Sequence, residues 1–309
     1  MPEATCSDRV GRSARRRGYL MCPPTFFAVE YSINQWMDPA VAVDTGLAVR
    51  QWEVLRATLL SLGHTVELVE PVPGLPDMVF AANGATVVDG RVLVANFRHR
   101  ERDAESAAYA AWFRTHGYAE VQRAEQVNEG EGDHLVARGH ILAANGFRTE
   151  RSSYAQTEAY LLRRVLGLTL VDPRFYHLDT ALSVLDDEQI MYFPGAFSPN
   201  SLALLEQLFP DAILAEESDA AALGLNAISD GRHVLLPAEA SGLAARLAQA
   251  GYEPIGIELG ELRKGGGGPK CCVLELRRNV VDGAANRAAA YARRTRTAAR
   301  STRTSDVGA

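Results

Sequence analysis

One arrangement recurs along the chain: a short hairpin of two strands, an amphipathic helix and a further strand. The first internal copy reads MVFAANGATVVDGRVLVANF, in which apolar runs flank Asp89-Gly90, a strong signal for a β-hairpin. The helix pattern ERDAESAAYAAWFRTHG and the strand pattern AEVQRA follow it. Such a unit cannot bury its apolar face alone, so neighbouring units must pack against each other.

Five units of this kind can be traced, with helices predicted to begin near residues 44, 101, 152, 198 and 240. In the fifth unit the two ends of the repeat region meet, because CCVLELRR supplies strands beside YLMCPPTFF. The helix spacing of 42–57 residues is typical of propellers and other repeat arrays. We therefore predict an α/β fold, a five-bladed pseudo-symmetric α/β propeller of ββαβ-type units with its helices outside. An ordinary doubly wound sheet is the alternative, and the hairpins argue against it.

The charge distribution separates a central body from two basic ends. The first 19 residues hold five arginines against two acidic residues, and residues 283–309 hold six against one, yet the formal net charge of the chain is −6. The acidic body argues against a nucleic-acid-binding core and suits a cationic small molecule. We expect a single catalytic domain over 19–282, between disordered tails at 1–18 and 283–309.

Several classes of protein are disfavoured by what the sequence contains. Its apolar runs are shorter than the ~20 residues that cross a bilayer, and its arginine-rich start does not resemble a secretory signal. Cys6, Cys22, Cys271 and Cys272 form no disulfide framework, and no zinc-type or nucleotide-binding motif occurs. We expect a cytoplasmic protein without metal or cofactor that binds a small-molecule substrate, but no membrane and no specific nucleic acid. The oligomeric state stays open, and a homo-oligomer is one alternative.

Polar or reactive side chains stand where the first strand of each unit is expected to begin. They are Asp77 and Asn83 in PDMVFAAN, Glu129, Glu131 and Asp133 in EGEGD, His177 and Asp179 in FYHLDT, Asn226 in LNAIS, and Cys271 in GGGGPKCC. If the units are related by ring symmetry, these positions point at the same central place. Carboxylates, an imidazole and a thiol in one pocket are suited to nucleophilic catalysis on a cation.

Each of these residues also has a simpler interpretation. A lone cysteine is most often a small buried apolar residue, EGEGD could be an acidic turn, and Asn83 could belong to an ordinary turn. His177 could be a packed histidine bonded to Asp179. The GGGGP sequence, however, favours an exposed turn for Cys271. The occurrence of all these groups at matching repeat positions favours the catalytic interpretation.

The segments LMCPPTFFAVEYSINQWM, LPDMVFAANGA, EGEGDH, FYHLDTAL and GGGGPKCCVLEL, in this order, resemble the guanidine-modifying (pentein) superfamily. That superfamily includes arginine deiminases, dimethylarginine dimethylaminohydrolases, amidinotransferases and arginine dihydrolases. The resemblance covers about residues 19–280 and leaves out both tails. It implies a five-bladed ring of ββαβ-type units, in agreement with the repeat pattern, and a hydrolase that acts on the guanidinium group.

The resemblance also implies roles for the matched residues. Cys271 is similar to the family nucleophile and His177 to the acid/base of its HxD motif. Asp77 and Asp179 match carboxylates that bind the guanidinium group.

Two pairs of matched residues leave alternatives. EGEGD has one residue more than the acidic motif of the family, so Glu129 and Glu131 are both candidates for the catalytic carboxylate. Arg102 and Arg148 resemble the arginines that hold the carboxylate end of the substrate, although they could equally belong to a solvated face.

Asn83 stands where the dimethylarginine hydrolases and deiminases carry a second aspartate. This departure resembles the arginine dihydrolase branch, as does the YxINxW segment that contains Asn34. A neutral ureido group has a carbonyl that an aspartate would repel, whereas the Asn83 amide can donate to it. We therefore expect an arginine dihydrolase that forms a covalent amidino-thioether and yields ornithine, ammonia and carbon dioxide. The alternatives are dimethylarginine hydrolysis to citrulline and dimethylamine, amidinotransfer and, less favoured, a non-catalytic ring-shaped binding protein.

Overall fold

The computed structural model describes residues 11–278. Its strands are grouped into five sheets of three strands each. In chain order they are β1 (Gly18–Met21), β2 (Thr65–Leu68), β3 (Ala85–Val88), β4 (Arg91–Val94), β5 (Glu120–Arg123), β6 (His134–Ala137), β7 (His140–Asn145), β8 (Val165–Thr169), β9 (Leu182–Val184), β10 (Ile190–Tyr192), β11 (Ile213–Leu214), β12 (Ile228–Ser229), β13 (His233–Pro237), β14 (Glu253–Ile257) and β15 (Leu274–Glu275).

The helices connect the second and third strands of each sheet or lie in the loops between sheets. In chain order they are α1 (Thr45–Ser61), α2 (Arg100–Asp103), α3 (Glu105–Thr115), α4 (Tyr154–Leu161), α5 (Leu178–Ala181), α6 (Pro199–Leu208), α7 (Glu217–Ala221), α8 (Ser241–Gln249) and α9 (Gly260–Arg263). Short 3₁₀ turns precede several strands, among them Pro76–Val79, Ala81–Gly84 and Gly130–Gly132.

Every sheet has the same topology, an antiparallel pair followed by a strand parallel to the middle one. In the sheet β15-β1-β2 the antiparallel pair comes from the two ends of the described chain, which is how the predicted fifth unit closes the ring. The first strands of the hairpins are innermost: β6 contacts β9, β9 contacts β12, and β15 contacts β3. The predicted five-unit α/β architecture is confirmed.

Local sequence explains where the elements turn, begin and pack. At the β3–β4 hairpin both Asp89 and Gly90 have positive φ, the conformation that matches a two-residue turn to the twist of its strands. The side chain of Asp44 accepts a hydrogen bond from the Leu47 N–H and caps α1. On this helix Trp52 and Leu55 are among the residues that are fully buried, and they belong to the apolar face that covers its sheet.

Two boundaries differ from the sequence-based expectation. Residues 11–17 were expected in a disordered tail, but Arg12 pairs with Asp186 and the Arg15 N–H donates to the Asp230 carbonyl, so this segment lies against the body. The rest of the predicted tails lies outside the described residues, and the single-domain assignment stays a prediction. In addition, PDMVFAAN was expected to open a strand. It forms 3₁₀ turns instead, and β3 begins only at Ala85.

Candidate active site

The candidate site is built from the loops that lead into the innermost strands. Asp77 and Asn83 lie in the 3₁₀ turns before β3, Glu129 before β6, His177 at the start of α5 before β9, and Cys271 before β15. All of them are buried. The ring therefore gathers at its centre polar groups that are up to 194 residues apart in sequence, counted from Asp77 to Cys271.

Cys271 is buried, with 2% of its surface exposed, so the expectation of an exposed turn is wrong. The glycine-rich loop packs inward against Phe80 and Asn226 instead of projecting into solvent. The thiol donates to Asp179 Oδ2 at 3.3 Å and accepts from Asn226 Nδ2 at 3.1 Å. Burial, and then the negative charge of Asp179, raise the pKa of Cys271 well above its ordinary value. The resting nucleophile candidate is therefore a thiol.

His177 and Glu129 form a close, buried pair. His177 Nε2 lies 2.7 Å from Glu129 Oε2, and the guanidinium of Arg148 donates to the same oxygen at 2.9 Å. Burial alone would raise the pKa of Glu129, but Arg148 and then His177 outweigh it and hold that pKa well below its ordinary value. Glu129 is thus a carboxylate that orients the imidazole and can support its positive charge.

Glu131, the other acidic candidate, lies in a different cluster. Its carboxylate pairs with Lys270 at 2.9 Å and with Arg277, and it accepts the Glu275 N–H at 3.0 Å. None of the hydrogen bonds of Glu131 within residues 11–278 involves His177. The geometry therefore favours Glu129 over Glu131 as the partner of the acid/base candidate.

Arg102 fixes the orientation of Asn83. Its guanidinium binds Glu105 through two hydrogen bonds of 2.9 Å and donates to Asn83 Oδ1 at 2.7 Å. Because Oδ1 accepts from Arg102, the Asn83 amide presents Nδ2, a donor, to its other side. A Cβ atom placed on Gly132 would meet Asn83 Nδ2 and also the ring of His177, so the amide group lies next to the imidazole.

Three buried polar atoms around this centre have no hydrogen-bond partner among the described residues. They are Asp77 Oδ1, Asp179 Oδ1 and Asn83 Nδ2. The other oxygen of Asp77 accepts from the Tyr31 hydroxyl at 2.9 Å. Buried polar groups normally find partners, so two acceptors and one donor left without them indicate a polar ligand. Two carboxylate oxygens suit the N–H groups of a cation, and the amide donor suits a carbonyl oxygen.

A cavity of about 380 Å³ adjoins the site. Asn34, Arg148 and Tyr176 line it, together with His99 and Phe147. Asn34 Nδ2 donates to the carbonyl of Gly265 at 3.1 Å, which ties this wall to the nucleophile loop. Arg148 therefore both binds Glu129 and lines the cavity.

Both arginines are buried, but Arg102 does not line this cavity, and its guanidinium is bound by Glu105, Asn83 and the Asp77 carbonyl. No hydrogen bond of Asn34 within residues 11–278 involves either arginine. The predicted role of Arg102 and Arg148 at the carboxylate end of the substrate stays a prediction. Arg148 is the better placed of the two, because it also lines the cavity.

Two residues of the site had no role assigned from the sequence: Tyr31 was not singled out, and Asn226 was noted only as a polar residue at the start of a repeat unit. Tyr31 holds Asp77, and its only sequence signal is its place in the YxINxW segment. Asn226 contacts Cys271, and its signal was its position at the start of a repeat unit. Within residues 11–278 there is no cluster of three His, Cys, Asp or Glu side chains placed to hold a metal ion. The described helices include none long and apolar enough to span a bilayer.

Comparison with known proteins gives a consistent set of relatives, although no protein-family profile matches the chain. The chain is 52% identical over 272 residues to an N(G),N(G)-dimethylarginine dimethylaminohydrolase of Mycobacterium tuberculosis, covering 87% of this chain and 90% of that protein. It is 35% identical to the bifunctional arginine dihydrolase/ornithine cyclodeaminase ArgZ of a Synechocystis species, covering 85% of this chain and 38% of that protein. The chain thus spans little more than a third of the bifunctional relative.

Among solved structures, the N-terminal domain of ArgZ, in a mutant form bound to its substrate, superimposes with a TM-score of 0.82 at 34% identity. The match covers 85% of this chain and 98% of that domain.

Proposed function

The chain belongs to the guanidine-modifying (pentein) superfamily and is a hydrolase of guanidino groups, and on this premise we propose that it converts arginine to ornithine in two hydrolytic rounds. The observation that carries the choice of reaction is the orientation of Asn83. Its Oδ1 is occupied by Arg102, and its Nδ2 is a buried donor without a partner among the described residues. A donor at this position suits the carbonyl oxygen of a neutral ureido group better than the N–H groups of a guanidinium.

In the first round the carboxylates of Asp77 and Asp179 hold the guanidinium cation through charge-assisted hydrogen bonds. The bound cation offsets the negative charge of Asp179, which in the resting site disfavours the Cys271 thiolate. Cys271 gives its proton to His177 as its sulfur attacks the guanidinium carbon, and His177, oriented by Glu129, passes that proton to the departing ammonia.

The amidino-thioether that remains is hydrolysed by a water molecule that His177 deprotonates, and citrulline forms. In the second round Cys271 attacks the ureido carbon while Asn83 donates to its oxygen. Loss of ammonia and a second hydrolysis yield ornithine and carbon dioxide. The net reaction consumes one arginine and two waters and releases two ammonia molecules, one carbon dioxide and one ornithine.

The relatives named above support this assignment to different degrees. The bifunctional relative and the ArgZ domain are described as arginine dihydrolases. The more similar relative, at 52% identity, is named a dimethylarginine dimethylaminohydrolase, which makes hydrolysis of dimethylarginine to citrulline and dimethylamine the second candidate. Both candidates need the same nucleophile, acid/base and carboxylates, and they differ in the leaving group and in the number of rounds.

Product analysis separates the two candidates. The protein is incubated with arginine, dimethylarginine, citrulline or agmatine, and amino acid products, ammonia and dimethylamine are quantified. We expect ornithine from arginine, with two ammonia molecules per ornithine. Citrulline as the final product of arginine would contradict the second round. Release of dimethylamine from dimethylarginine, without turnover of arginine, would establish the second candidate.

Asn83→Asp tests the residue that carries the proposal. The aspartate can still accept from Arg102, but it places an acceptor where Nδ2 stood, so we expect arginine to be converted to citrulline with little ornithine. The measurement is the ratio of citrulline to ornithine during turnover of arginine. Asn145→Asp, on a half-buried asparagine whose side chain contacts Thr169, is the matched control and is expected to keep the ratio of the unmodified protein. An unchanged ratio in Asn83→Asp would show that Asn83 does not select the ureido step.

A further inference from the structure

Asn226 forms hydrogen bonds with the candidate nucleophile and with its loop, although the mechanism proposed above gives this residue no role. It precedes β12, is fully buried, and all of its side-chain polar atoms have partners within the described chain. Oδ1 accepts the backbone N–H groups of Gly268 and Cys271, both at 3.0 Å. Nδ2 donates to the Asp179 carbonyl and to Cys271 Sγ, both at 3.1 Å.

These contacts leave only one orientation of the amide. Backbone N–H groups can only donate, so the atom that faces Gly268 and Cys271 must be the carbonyl oxygen of Asn226. Its NH₂ group therefore faces Sγ. The backbone of Asn226 is also fixed, because its carbonyl accepts the Lys270 N–H at 3.3 Å and its N–H donates to Leu223. The donor is thus held in place before any substrate binds.

The two side chains that touch Sγ have opposite effects on the thiol. Asp179 Oδ2 accepts from the thiol and favours the protonated form. Asn226 Nδ2 donates to sulfur, and a hydrogen bond donated to an anion is stronger than one donated to a neutral acceptor. When a cation engages Asp179, the Asn226 donor remains on sulfur. The negative charge of the thiolate then keeps a partner inside a buried site.

We propose that Asn226 is a catalytic residue that stabilises the Cys271 thiolate by donating Nδ2–H to Sγ while its Oδ1 anchors the nucleophile loop. This inference rests on the proposed role of Cys271 as the nucleophile. It assigns Asn226 a function that a purely structural asparagine would not have, because such a residue would hold the loop without changing the acidity of the thiol.

The test measures the acidity of Cys271 without any substrate. Purified protein is alkylated with iodoacetamide over a range of pH, and modification of Cys271 is followed by tandem mass spectrometry, which separates it from Cys272. Asn226→Ala removes the donor, and we expect the thiol pKa to rise by about one unit or more. Asn226→Asp keeps an acceptor for both backbone N–H groups but places a negatively charged carboxylate next to Sγ. The pKa of the Cys271 thiol should therefore rise further.

Asn145→Asp is again the control and should titrate as the unmodified protein. Thermal unfolding of each variant reports the structural effect separately, and Asn226→Asp keeps the test available if Asn226→Ala does not fold. Equal thiol pKa values in the unmodified protein and in a folded Asn226 variant would overturn the inference. Because alkylation needs no guanidine, a protein that fails to hydrolyse arginine but shows the expected order would refute the proposed function and leave this inference standing.

Discussion

Three aspartates of the candidate site, Asp77, Asp133 and Asp179, hold protons more tightly than free aspartates do, because burial raises their pKa values. Burial raises the pKa of Asp179 to about 6, although the charge of Lys270 opposes the rise. Burial likewise raises the pKa of Asp133 to about 6, against the opposing effect of His177. Asp179 accepts the hydrogen bond of the Cys271 thiol, and it is a carboxylate that the proposed cation must bind. Its charge state therefore controls whether the resting site can bind the substrate.

We predict that kcat/KM for arginine falls as the pH is lowered through about 6. Above this pH the ionised Asp179 accepts hydrogen bonds from the guanidinium, whereas below it the protonated carboxyl group loses its charge and one acceptor site. The protonation of Asp133 in the same window acts in the same direction, because its carboxylate accepts the backbone N–H of Leu178, the residue after His177. Initial rates of ammonia release at several pH values give the profile, since kcat/KM reports groups of the free enzyme. Circular dichroism at each pH checks that the protein stays folded, and a flat profile across pH 6 would contradict the prediction.

The contacts of Arg102 show which parts of a residue's role can be predicted from the sequence. Glu105 is three residues away on the adjoining helix, and this spacing makes an ion pair with Arg102 foreseeable. The bond to Asn83 is not foreseeable from spacing, because it depends on how the 3₁₀ turns before β3 fold back onto the helix. Sequence therefore proposed Asn83 and Arg102 as site residues but did not predict that one orients the other.

At the scale of elements, the glycine-rich loop before β15 is packed against a neighbouring unit. A Cβ atom on Gly267 would overlap the ring of Phe80, and one on Gly265 would lie 2.9 Å from the same ring. Phe80 stands between Asp77 and Asn83 in the turns before β3. The small residues of the loop thus let the segment that leads to Cys271 approach the turns that carry Asp77 and Asn83.

Gly267→Ala should therefore impair both activity and stability. The added methyl group must displace Phe80 and, with it, the segment that holds Asp77 and Asn83. We expect activity to fall at least about 10-fold and the free energy of unfolding to fall by about 1–3 kcal/mol, the usual range for overpacking. Steady-state kinetics and urea unfolding measure the two effects. Gly260→Ala is the matched control, since its nearest neighbour would be Gln51 at 3.9 Å, and equal behaviour of the two variants would refute the packing argument.

The order of elements was largely predictable because each signal is local. Helices expected near residues 152 and 198 begin at Tyr154 and Pro199, and the Asp89-Gly90 turn lies where the dipeptide predicts it. The 3₁₀ turns that carry Asp77 and Asn83 were expected as strand instead. Their apolar residues are buried in the hydrophobic core, so a hydrophobic pattern alone does not distinguish these turns from a buried strand.

At the scale of the whole molecule, the N-terminal segment contacts two neighbouring units that are both far from it in sequence. Arg12 pairs with Asp186 at 2.8 Å, donates to the Ala250 carbonyl, and stacks over the ring of Tyr252 at 3.5 Å. Tyr252 in turn donates to Asp186 at 2.7 Å. No local pattern reveals partners 174 residues apart, which is why this arginine-rich stretch was expected to be disordered. The contacts connect the β9–β10 turn with the end of α8 and the start of β14.

Arg12 and Arg15 lie in the same segment but should differ in their effect on stability. The Arg12 side chain is 26% exposed and has three kinds of partner, so Arg12→Ala is expected to lower the free energy of unfolding by about 1–2 kcal/mol. The Arg15 side chain is 63% exposed, and its ion pair within residues 11–278 is with Asp187; surface pairs of this kind contribute little. Arg15→Ala also keeps the backbone bond to Asp230, so its unfolding free energy should stay within about 0.5 kcal/mol of the original. Denaturant unfolding of both variants decides the matter: if Arg12→Ala is as stable as Arg15→Ala, the segment does not hold these units together in solution.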